Sequence, residues 1–152
     1  MSIKKSLVTC LSLIIFIALI ISSPTIAYSK TVNNADAVLN LCNAERRAAG
    51  LDELKAITTL NKAAAIRVQE LPVLFSHTRP DNSEWYTVNP DTMGENLYKS
   101  GNVGDGTPNE IVRMWMNSES HRELLLDPGF TSIGIAYYVT SDGSVYCAAE
   151  FA

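Results

Sequence analysis

Two histidines, His77 and His121, are the residues of this chain best suited to chemistry near neutral pH. Imidazole titrates at about 6.5 and serves equally as a general base or a metal ligand. Both sit in polar strings, Ser76-His77-Thr78-Arg79 and Ser118-Glu119-Ser120-His121-Arg122. Glu95 lies in Gly94-Glu95-Asn96, which reads as a tight turn able to aim a carboxylate inward, and Glu110, Glu119 and Glu123 lie near His121 in sequence. Two neutral imidazoles with one or two carboxylates are ligand types that zinc or a similar divalent ion accepts, leaving positions for water. The same residues also make a metal-free network in which Glu95 orients a histidine. Taken singly, each histidine reads as an ordinary satisfied side chain. Ser76, Thr78 and Ser120 are hydroxyls that a histidine base could activate. The chain has neither an HExxH helix nor a GxSxG elbow.

These residues need elements to position them. A helix is expected from about Ala35 to Ala49, capped by Asn34 and ended by Gly50, with Val38, Leu41, Cys42 and Ala49 inward and Glu45, Arg46 and Arg47 outward or paired locally. A second is expected from about Thr59 to Leu71, with Leu60, Ala63, Ala64, Arg67 and Leu71 along one side and Pro72 after it. The stretch from Phe75 to Gly106 reads as irregular, and a long irregular stretch in a compact domain usually carries function. Thr107-Pro108-Asn109-Glu110 is a capping box opening a third helix that buries Ile111, Val112, Trp115 and Met116. Ser118 can cap a short further helix through Leu126, stopped by Asp127-Pro128-Gly129. Residues 131–140 and 144–152 are β-branched and aromatic around Ser141-Asp142-Gly143, a hairpin signature. The pattern predicts an α+β domain with helices on a mostly antiparallel sheet.

The basic start MSIKK and the uncharged apolar run after it predict a signal peptide over residues 1–27, with cleavage after Ala27 expected and cleavage after Ser29 an alternative. A retained membrane anchor is the other reading of that run. A polar leader, 28–35, and a single domain, 36–152, follow. Without the first 27 residues the chain has ten basic against sixteen acidic side chains, a formal charge of −6. That field excludes nucleic acid as an expected partner and favours cations. Cys42 and Cys147 are then the two remaining cysteines, and export into an oxidising environment predicts a bridge between them. The alternative is two separately buried small hydrophobes.

Several strings together resemble the bacterial members of the CAP (SCP) superfamily, the cysteine-rich secretory protein, antigen 5 and pathogenesis-related family. They are Leu39-Asn40 with Asn43, Glu45-Arg46 and Gly50-Leu51; Phe75 to Pro80; Gly94-Glu95-Asn96-Leu97; Trp115 to Ser118 with His121-Arg122; and Phe130 to Ile135. The resemblance covers about residues 36 to 152, in order. It implies an α-β-α sandwich whose cleft gathers two histidines and two acidic residues, and it assigns His77, Glu95 and His121 to three of the four places. Eukaryotic relatives carry a glutamate where this chain has Ser118, which leaves Glu119 as the candidate for the fourth place and Glu110 more than a turn away. Some relatives bind a divalent metal there, so His77 and His121 are the implied metal ligands.

The function expected first is an extracellular binding module, secreted or associated with the cell wall, that captures a lipid, peptide, glycan, protein or cation, with Trp85 and Tyr86 either lining the cleft or simply covering the core. The alternative is a His- and Glu-dependent hydrolase of the peptidase or esterase kind. A wall-associated or spore-coat structural role is the third.

Overall fold

The computed structural model describes residues 24–152, with side chains from Asn34 onward. Most of the expected signal segment, residues 1–23, lies outside the described residues. Helix α1 runs from Pro24 to Ala48, so the expected polar leader 28–35 is helical and Asn34 is interior rather than a cap. Between Pro24 and Gly50 the chain has no glycine or proline to stop a helix. Gly50, at φ 75°, ends it with the Leu51 amide donating to the Arg46 carbonyl at 2.9 Å and the Gly50 amide to that of Arg47 at 3.0 Å.

Strand β1 (Lys55–Ala56), helix α2 (Thr58–Glu70), strand β2 (Gly94–Ser100), helices α3 (Pro108–Asn117) and α4 (Glu119–Leu125), and strands β3 (Ser132–Val139) and β4 (Val145–Phe151) complete the order. The Thr107 hydroxyl accepts from the Glu110 amide at 3.3 Å, while the Glu110 carboxylate turns to Arg113 instead of reaching back to the cap. The strands lie in the order β1-β3-β4-β2. β3, β4 and β2 are antiparallel to their neighbours and β1 is parallel to β3, so the sheet is mixed rather than mostly antiparallel. β2 lies in the stretch that reads as irregular, and β1 in the connection between the first two expected helices. β1 is two residues long. β2, Gly-Glu-Asn-Leu-Tyr-Lys-Ser, is buried over its first five residues although three of those are glycine or polar.

The sheet is covered on both faces, giving an α-β-α sandwich. One face carries Ile133, Ile135, Tyr137, Val145, Cys147, Ala149 and Phe151 against Val38 and Cys42 of α1 and Ile111, Val112 and Trp115 of α3. The other carries Leu97, Tyr146 and Ala148 against Val68 and Leu71 of α2. Burying a side chain of this size stabilises by roughly 1.5–3 kcal/mol. The Trp115 indole N–H also donates to the Leu97 carbonyl at 3.0 Å, tying α3 to β2. Cys42 and Cys147 share the first cluster as free thiols, both fully buried. No described helix is long and apolar enough to cross a membrane.

Candidate functional site

β2 is an edge strand, and the histidines reach it from opposite layers. His77 comes from the loop after α2. His121 comes from α4, whose backbone is fixed to β2 where Asn96 Nδ2 donates to the His121 carbonyl at 2.9 Å. His77, Glu95 and His121 line one open cleft of about 260 Å³, with Trp85, Met93 and Leu124 as apolar wall and Ser120 at the rim. The three residues singled out from sequence therefore meet, although His77 and His121 are 44 positions apart.

Their electrostatic states differ. His77 Nδ1 lies 2.8 Å from Glu95 Oε1, while its side chain is 55% exposed and that of Glu95 1%. An N–H on Nδ1 donating to that carboxylate leaves Nε2 as a free acceptor. Burial, and then the nearness of His77, hold His121 below the ordinary histidine value, so it is neutral at pH 7. Burial acts to raise Glu95, but hydrogen bonds from His77 and Arg67 outweigh it and hold the carboxyl below its usual range.

Behind Glu95 stands an ion-pair network that the sequence reading lacked. Arg67, fully buried, donates from Nε to Glu95 Oε2 at 2.6 Å, from Nη1 to Glu70 Oε2 at 2.6 Å and from Nη2 to the Ser76 carbonyl at 2.7 Å. Arg79 closes on Glu70 at 2.7 Å. The last of these contacts on Arg67 fixes the loop that delivers His77. Glu150, fully buried on β4, is paired directly opposite Glu95. Both residues were signalled in the sequence as charges where the period calls for an apolar side chain: Arg67 on the inward stripe of a helix, Glu150 within an apolar strand.

Glu119 is a correction. It is exposed and does not line the cleft, because it opens α4 on the solvent side. Glu150 is the further acidic residue adjacent to Glu95, below the cleft floor. Tyr86 is 50% exposed and stacks edge-on against Trp85, which alone of the two lines the cleft. Arg46, expected to face outward, is buried.

Residues 39–151 match the Cysteine-rich secretory protein family, and the chain belongs to it. Over 117 residues it is 38% identical to the uncharacterized protein YkwD of Bacillus subtilis, a match spanning 72% of this chain and 43% of that protein. The chain thus accounts for less than half the length of this relative. An extracellular protein of Bacillus anthracis containing an SCP domain superposes with a TM-score of 0.71 at 18% identity, over 85% of this chain and 43% of that one. A structure of NaASP2 with Zn2+ superposes with a TM-score of 0.60 at 11% identity, over 78% of each chain. At such identities the structures establish the shared fold.

The donors around the cleft bear on whether a metal could be held there. Among the described residues no three His, Cys, Asp or Glu side chains are grouped as a metal site requires. Glu95 spends its oxygens on Arg67 and His77, and Glu150 lies beneath it, which leaves two imidazoles.

Proposed function

We propose that this chain is exported and works outside the cell as a ligand-binding module, with the His77–Glu95–His121 cleft as its binding surface and no resident metal. The observation that carries this reading is the preorganised cleft itself. One imidazole is oriented by a buried carboxylate, a second is held neutral, and both stand beside an apolar wall on which Met93 is 72% exposed. Such a surface suits an uncharged organic ligand with an apolar body and a polar group that hydrogen-bonds to imidazole. The extracellular B. anthracis relative supports export.

The Glu95–His77 pair also favours the hydrolase reading, since a carboxylate-oriented imidazole is a general base. Among the described residues, however, no hydroxyl bonds to either imidazole. The Ser120 hydroxyl hydrogen-bonds to that of Ser118, and the Ser76 hydroxyl accepts from the Thr78 amide. Outside the cell we further propose that Cys42 and Cys147 pair. Both lie in one buried cluster; burial, then Glu45, pushes the Cys42 thiol up to about 12, and burial, then the nearness of Cys42, pushes Cys147 well up.

Elemental analysis and mass spectrometry of extracts from the purified protein test the reading. A co-purifying small molecule, lost in His77→Ala and His121→Ala, is expected, with no stoichiometric metal. One equivalent of metal surviving dialysis, or turnover of a peptide or ester library abolished by His77→Ala, overturns it.

A further inference from the structure

Glu150 faces Glu95 across the β2–β4 ladder, and on its other side the β4–β3 register places Gly134. A Cβ at Gly134 would lie 2.0 Å from the Leu60 backbone carbon, so α2 rests directly on the sheet there and seals Glu150 from solvent. Neither Glu150 oxygen receives a hydrogen bond from an N–H or hydroxyl of the protein. The nearby guanidinium of Arg67 is turned to Glu95, Glu70 and the Ser76 carbonyl. What stands across the ladder from Glu150 is the carboxyl-bearing Glu95, itself buried. Two carboxylates buried side by side are both acceptors and repel one another, and Glu95 holds the cation, so a proton belongs on Glu150.

We propose that Glu150 is held as the neutral acid and donates its proton in a hydrogen bond to the Glu95 carboxylate, which makes Glu150 the residue that positions Glu95 against His77. The charged groups around it agree. Burial and the Glu95 charge push Glu150 up to about 9, Glu70 adds to this and Arg67 opposes it, while β3 contributes only Gly134. With Glu150 neutral, Arg67 and Arg79 balance Glu95 and Glu70. No surplus negative charge then lies under the cleft. The inference rests on the binding reading for its use, but its test observes the carboxyl and the imidazole directly.

Infrared spectroscopy of the full protein at pH 7 should show a protonated-carboxyl band that Glu150→Gln removes. The same variant keeps a donor facing Glu95 and the same net charge, so the His77 pKa read by NMR should move by less than about 0.3. If Glu150 is instead ionised, its neutralisation lowers the His77 pKa by about one unit. Glu150→Leu, which lacks a donor, should loosen the preference for an Nδ1 proton on His77, read from the ring nitrogen shifts, and the Gln variant should preserve it. Absence of the band in the wild type, or a fall of about one unit in the Gln variant, overturns the proposal; an unchanged tautomer in Glu150→Leu overturns the positioning role. A cleft that retains no ligand while band and titration behave as stated leaves this inference standing and refutes the binding reading.

Discussion

Arg46 and Arg67 are both buried on helices, yet they serve different ends. Arg46 spends its guanidinium on four backbone carbonyls: Asp52 at 2.8 Å, Leu125 and Asp127 at 2.9 Å, and Phe130 at 3.1 Å. It ties the end of α1 to the turn between α4 and β3, beside a cavity of about 610 Å³, larger than the histidine cleft of about 260 Å³. Arg67 spends its guanidinium chiefly on carboxylates, one of which orients His77. Carbonyls do not titrate or pass on a change of charge, whereas carboxylates do both. Partner chemistry, rather than cavity size, therefore separates the staple from the working site.

The largest effect should come from Arg67→Met. It leaves Glu95 buried without its cation, a loss of about 3–5 kcal/mol by urea denaturation, and His77 should titrate differently in whatever fraction folds. Arg46→Met removes donors from neutral carbonyls, some of which water can reach. It should cost about 2–3 kcal/mol and leave both histidine titrations unchanged. A shift in either histidine would break the contrast between the two arginines.

A subtler effect is in pH. The folded pKa of Glu150, about 9, lies above the ordinary glutamate value of 4.5, so the folded state holds a proton that the unfolded state has lost. Its stabilising contribution is complete below 4.5 and is lost as pH rises through about 9. Glu95 and Glu70 are held low and act oppositely, losing stability as pH falls below the ordinary value. The stability of Glu150→Gln relative to wild type should therefore grow between pH 5 and 9. A constant difference across that range would place the alkaline sensitivity elsewhere.

Thiol counting under denaturing conditions should find no free cysteine in exported protein, and two would reject the bridge. A bridge closing so long a loop is worth roughly 4–5 kcal/mol in the chain-entropy model, less any strain. The smallest effect belongs to Glu119→Gln. It should alter stability by no more than about 0.5 kcal/mol and leave ligand retention intact, since this carboxylate points to solvent.

Helices α2, α3 and α4 and the terminal hairpin could be read within a residue or two, because a capping threonine, helical stripes and a Ser-Asp-Gly turn act over a few positions. The start of α1 could not, since a polar face and a polar leader have the same composition. β2 escaped because a strand that carries a site carries polar residues, which hides its alternation.

Local order, motif spacing and charge in the amino-acid sequence determined the helices, the hairpin, the family, and the choice of His77, Glu95 and His121. Only the tertiary structure decided which carboxyl stands beside Glu95, because that depends on register. Pairing β2 with β4 sets Glu150 against Glu95, across 55 residues of chain, and a Gly134 without a side chain lets α2 close over both. Partners of that kind are fixed by the packing of layers, which leaves no mark at any fixed spacing along the chain.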